Sequence, residues 1–142
     1  MLVKDINPNA SGSLNSNSSA IRYLTATSNK LFFTARTSST ATRGLWVSDG
    51  TEAGTLSLHD AASVSDVIVT ENATYFDGYD PVNGNELWKT DGTLAGTALL
   101  KDVAPGTDSS GFYSLGAYNY YETPTAPVLK LSNGSILMAG FT

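Results

Sequence analysis

A ten-residue block occurs twice in this chain. Trp46-Val47-Ser48-Asp49-Gly50-Thr51-Glu52-Ala53-Gly54-Thr55 returns as Trp88-Lys89-Thr90-Asp91-Gly92-Thr93-Leu94-Ala95-Gly96-Thr97, 42 residues later and identical at seven of ten positions. The flanks repeat as well. Short apolar segments ending in Asp60 and Asp102 follow the two blocks, and the opening Leu2-Val3-Lys4-Asp5 aligns with Leu99-Leu100-Lys101-Asp102. Asp5 and Asp60 are 55 apart, so the first unit carries about 13 extra residues, which fit the Ser- and Asn-rich stretches at 10–19 and 37–42. A repeat of this length means that one supersecondary unit recurs and buries its faces against its neighbours.

Within each unit the periodicity is that of strands. Segments 21–27 and 30–35 flank Ser28-Asn29, 67–70 and 74–76 flank Glu71-Asn72-Ala73, and 128–131 and 135–141 flank Ser132-Asn133-Gly134. Asn-Gly supplies the positive φ angles of a tight hairpin turn. Third strands are expected at 44–48 and 86–90, and fourth strands at 55–60 and 97–103. No segment has the 3.6-residue period of a helix. Four antiparallel strands per roughly 42 residues is the arithmetic of a propeller blade. The fold class expected is therefore all-β, an incomplete array of propeller-type four-stranded blades. Residues 1–60 would hold a leading strand and the first blade, 61–103 the second, and 104–142 a partial third with a Tyr-rich insertion at 112–127. Four blades would need about 168 residues, and this chain has 142. The expectation is a fragment of a longer repeat protein, with neighbouring repeats or self-association closing the array.

The block has its own turn chemistry. Asp49 and Asp91 can accept hydrogen bonds from backbone N–H groups just ahead of them, and Gly50, Gly92, Gly54 and Gly96 can take positive φ. Trp46 and Trp88 are expected to pack between blades, where an aromatic ring buries on the order of 150–250 Å². These six positions, Trp46, Asp49, Gly50, Trp88, Asp91 and Gly92, are read as structural.

Gly44-Leu45-Trp46-Val47-Ser48-Asp49-Gly50-Thr51 and Glu86-Leu87-Trp88-Lys89-Thr90-Asp91-Gly92-Thr93 resemble the ELWxxDGT repeat of bacterial proteins. Leu2 to Pro8 and Leu100 to Gly106 resemble the strand and turn linking one such repeat to the next, so the resemblance covers roughly residues 1–108. Gly44 departs from the Glu of the pattern. The resemblance implies a propeller-like fold in large bacterial proteins, mostly secreted or surface-attached, and brings no catalytic residues with it. Localisation is accordingly expected to be extracellular or at the cell surface in the full-length protein, although residues 1–6 offer no signal peptide.

Composition excludes several functions. A net charge of −5 and a sequence pI near 4.5 argue against nucleic-acid binding, which needs a basic stripe. No apolar run approaches the roughly 20 residues of a membrane span. The absence of Cys removes disulfides, thiolate metal sites and Cys nucleophiles. His59 is the single His, on the strand after the first Asp-Gly-Thr turn, and is expected at the surface.

Two stretches remain as candidate sites. Asp77-Gly78-Tyr79-Asp80-Pro81-Val82-Asn83-Gly84-Asn85-Glu86 is dense in oxygen ligands, and Asp77, Asp80, Asn83, Asn85 and Glu86 form a candidate calcium set, though the spacing misses the helix-loop-helix calcium pattern. The alternative is an acidic connecting loop. Tyr113, Tyr118, Tyr120 and Tyr121 in the insertion are candidate contacts for a protein or glycan, or a cap on the array. No other cofactor is expected. The function read from these features is a non-catalytic scaffold or binding module. The alternative is a fragment of a propeller hydrolase using an acidic pair among Glu71, Asp77, Asp80 and Glu86, which would require carboxylates roughly 5–9.5 Å apart.

Overall fold

The computed structural model describes residues 2–8, 19–38, 41–59, 64, 67–70, 73–102 and 105–107, and the backbone of strands at 128–130 and 136–138. Among them are ten strands and no helix. They are β1 (Arg22–Ala26), β2 (Leu31–Ala35), β3 (Gly44–Ser48), β4 (Leu56–His59), β5 (Val67–Val69), β6 (Thr74–Asp80), β7 (Gly84–Thr90), β8 (Ala98–Lys101), β9 (Val128–Lys130) and β10 (Ile136–Met138). β1-β2-β3-β4 and β5-β6-β7-β8 are two antiparallel sheets in sequence order, and β9-β10 is a hairpin. The described sheets do not close into a ring. The leading segment 2–8 forms no strand, which corrects the expectation of one there.

Strand pairing decides which side chains share a face. Phe33 is opposite Trp46 and Ala35 opposite Gly44, whereas Phe32 is opposite Val47 and Thr34 opposite Leu45. The Trp46 face of the first sheet takes Ile6 from the leading segment, which packs with Phe33, Ala35 and Trp46. The opposite face carries Phe32, Leu45, Val47 and Leu58, which join Val64 and Phe76 in one buried cluster flanked by Val67, Val69 and Trp88. Phe76 is opposite Trp88 in the second sheet. The Trp88 face of the second sheet therefore packs on the face of the first sheet that points away from Trp46. Phe33 with Trp46 and Phe76 with Trp88 make matching stacked pairs, at 6.4 Å and 21° and at 6.2 Å and 24°.

Both sheets carry the same irregularity. The β3–β4 register slips between Leu45 and Trp46, and the β7–β8 register between Leu87 and Trp88. Such a bulge breaks the inside-outside alternation of a strand. In β4 it lets the consecutive residues Leu58 and His59 both be buried. His59, expected at the surface, is only 9% exposed.

Candidate functional site

The two Asp-Gly-Thr turns are built by one network. Asp49 Oδ1 accepts from the Thr51 N–H at 2.9 Å and the Thr51 hydroxyl at 2.7 Å; Asp91 Oδ1 accepts from Thr93 at 2.8 and 2.7 Å. The Gly54 and Gly96 N–H groups donate to Thr51 Oγ1 and Thr93 Oγ1 at 2.9 and 3.0 Å. Thr55 and Thr97 hydroxyls close each turn on the Thr51 and Thr93 carbonyls at 2.6 Å. Gly50 and Gly92 have φ of 90° and 85°. Gly54 and Gly96 do not take positive φ; a Cβ there would run into the Asp49 or Asp91 carboxylate. Hydrogen bonds from the Thr51 hydroxyl and N–H hold the Asp49 carboxyl below its ordinary value, and Thr93 does the same to Asp91. With Oδ1 of each aspartate committed to its own turn, both turns serve as structural joints.

Between the sheets, at the end where these turns lie, is a cleft of about 660 Å³. Its walls come from the β1–β2 turn (Thr27, Asn29, Lys30), the β5–β6 turn (Thr70, Ala73) and the start of the second Asp-Gly-Thr turn (Thr90, Asp91), over Phe32 and Val69. The two hairpin turns are also alike. Thr27 N–H donates to the Lys30 carbonyl at 2.7 Å and Thr70 N–H to the Ala73 carbonyl at 2.9 Å. Thr27 Oγ1 and Thr70 Oγ1 accept from the Lys30 and Ala73 N–H groups at 2.9 and 3.2 Å. Lys30 bridges the sheets, its Nζ donating to the Asp91 carbonyl at 3.1 Å. Hydroxyl, amide and peptide groups stand on the cleft rim beside the Lys30 ammonium and the Asp91 carboxylate. The cleft was not foreseen; its signal was the Thr27-x-x-Lys30 and Thr70-x-x-Ala73 pair, which extends the repeat into the hairpin turns.

The stretch 77–86, one reading of which was an acidic loop, is instead the β6–β7 hairpin with a turn at 81–83. Gly78 is opposite Glu86, Asp77 opposite Leu87, and Tyr79 opposite Asn85. Asp77 and Asn85 therefore lie on one face and Asp80 and Glu86 on the other. Asp80 Oδ1 accepts from the Val82 and Asn83 N–H groups at 2.7 and 2.9 Å, and Oδ2 from Asn83 Nδ2 at 2.8 Å. Burial pushes the Asp80 carboxyl up, but the Asn83 and Val82 hydrogen bonds and the nearby His59 outweigh it and hold it below its ordinary value. Glu86 is fully buried and Asp77 is 5% exposed. Among the described residues no group of three His, Cys, Asp or Glu is placed to hold a metal ion. Glu71 and the tyrosines Tyr113, Tyr118, Tyr120 and Tyr121 lie outside the described residues. No described helix is long and apolar enough to cross a membrane.

Comparison with protein-family models, curated proteins and solved structures finds no match.

Proposed function

We propose that this chain is a non-catalytic scaffold and binding module, built of propeller-type blades akin to the ELWxxDGT repeat and acting with further units of a secreted or surface bacterial protein. The observation that carries the reading is the way the sheets stack. The Trp88 face of one packs on the Leu45-Val47 face of the other, which is how like units stack in a repeat array. Duplicated turns, bulges and aromatic pairs support the same reading, because a repeat array is stabilised by interfaces between like neighbours.

The inter-sheet cleft is the surface we assign to recognition, with a neutral glycan or extended peptide as the class of ligand. Its hydroxyl- and amide-rich rim supports this. Against the propeller-hydrolase alternative stand the division of Asp77 from Asp80 and Glu86 across two faces and the complete burial of Glu86. The test is to insert one more copy of residues 61–102 after position 102. A propagating array should gain stability with the added unit and melt at a higher temperature. A product that melts no higher than the parent would refute the stacking. Separately, glycoside turnover that Glu86→Gln abolishes would favour the hydrolase.

A further inference from the structure

The chain has three arginines, Arg22, Arg36 and Arg43, and the fold brings all three to one end of the first sheet. Arg22 is opposite Thr34 in the β1–β2 ladder. The β2–β3 ladder ends with Ala35 opposite Gly44, so Arg36 and Arg43 are the next residues on the two chains. Arg36 N–H donates to the Ser19 carbonyl at 2.8 Å, and Arg43 Nε to the Ala20 carbonyl at 3.2 Å. Both therefore grip the segment that leads into Arg22.

We infer that Arg22, Arg36 and Arg43 form a binding site for an oxyanion of the sulfate or phosphate class. An arginine cannot shed its proton to relieve repulsion, and like charges opposite one another in a sheet are destabilising. Such a cluster attracts an anion. None of the three makes an ion pair among the described residues, and the charges that act on Arg43 include those of Arg22 and Arg36. The Nε of Arg36 is buried with no hydrogen-bond partner, a donor held out of water and unused. Burial, together with the charges of Arg22 and Arg36, pushes the Arg43 guanidinium below its ordinary value. The backbone beside the cluster is strained too, with φ of 46° at Ala20 and 52° at Tyr23. Non-glycine residues keep that conformation at a cost, and such strain gathers at ligand sites. Planar guanidinium forks match the paired oxygens of sulfate or phosphate. This assignment goes beyond the scaffold reading, and its failure would leave the stacked repeat intact.

The test is titration of the whole chain with sodium phosphate, sodium sulfate and a sulfated disaccharide, at equal ionic strength set with sodium chloride. Binding is followed by the arginine Nε–Hε resonances and the melting midpoint. Saturable binding is expected, and at ten times its Kd the anion should raise the folding constant roughly elevenfold. Arg36→Gln should weaken binding roughly tenfold or more. Arg22→Gln, at the exposed position, should also weaken binding but melt no lower than the parent in chloride alone. Tighter binding of the disaccharide than of inorganic sulfate would identify a glycan as the source of the group, and equal binding a free anion. Phosphate and sulfate indistinguishable from chloride, variants that bind like the parent, or an Arg22→Gln chain that melts below the parent in chloride would each overturn the site.

Discussion

The His59 imidazole meets the Trp88 indole edge-on across the gap between the two sheets, with ring centroids 4.4 Å apart and planes at 70°. His59 also lies edge-on to Phe76 at 5.5 Å. An edge-to-face pair contributes about 0.5–1.5 kcal/mol beyond the area it buries. Trp88→Ala should cost about 3 kcal/mol, the low end for an aromatic truncation, because the ring is only partly buried. His59→Ala should cost less, and the double variant should fall short of the sum by roughly 1 kcal/mol. Urea unfolding of the four proteins gives that coupling. Strict additivity would mean that the contact does not help join the sheets.

Gly96 allows the second Asp-Gly-Thr turn to close, since a Cβ at that position would collide with the Asp91 carboxylate. In Gly96→Ala the aspartate must swing away and give up Thr93, at an expected cost of about 1–3 kcal/mol. Once Asp91→Ala has removed the obstacle, the same Gly96→Ala change should cost much less. Gly92→Ala makes a useful contrast, because there the φ of 85° strains any Cβ-bearing residue whatever becomes of Asp91. Melting midpoints of the single and double variants separate the two mechanisms.

Local chemistry made most of the strands legible. Asn-, Gly- and Asp-containing turns bounded runs of β-branched and aromatic residues, and third strands were expected where Gly44–Ser48 and Gly84–Thr90 pair. Period-two counting failed at His59, because the bulge between Leu45 and Trp46 turns the consecutive residues Leu58 and His59 inward. Acidic composition hid the β6–β7 hairpin. Asp77 and Glu86 are ladder residues, and the turn is confined to Pro81-Val82-Asn83. Gathering of the arginines could not be seen in one dimension, since it depends on the ends of three paired strands rather than on spacing.

Asp49 and Asp91 also set a pH dependence. Hydrogen bonds from Thr51 and Thr93 hold both carboxyls below the ordinary value of 3.8 in the folded chain. A carboxyl depressed by folding adds stability that is fully present above its unfolded pKa, about 3.9, and lost as pH falls through the folded value. The turns should therefore contribute fully at pH 5 to 7 and weaken below about pH 4. Replacing both with Asn removes the titrating groups, so the melting midpoint of that variant should fall less steeply below pH 4 than the parent's. Identical slopes would mean that the turns do not sense protonation.

Ala35 facing Gly44 in the first sheet occupies the place of Gly78 facing Glu86 in the second. Each pair has one glycine. A Cβ on Gly78 would lie 3.0 Å from Phe76 Cε2 and 3.1 Å from Trp88 Cδ1, and the Gly78 carbonyl accepts the Trp88 indole N–H at 3.0 Å. Room beside each tryptophan thus admits one substantial side chain on the facing pair. In the first sheet a cavity of about 210 Å³ bounded by Ala35, Gly44, Trp46 and Thr42 is the counterpart of the space around Glu86. Gly44→Glu alone should therefore cost about 1–3 kcal/mol, through crowding against Ala35 and burial of a carboxyl. Adding Ala35→Gly, which recreates the arrangement of the second sheet, should restore a substantial part of that loss in urea unfolding. A double variant no more stable than Gly44→Glu would mean that the two sheets are equivalent in their turns but not in their packing beside tryptophan.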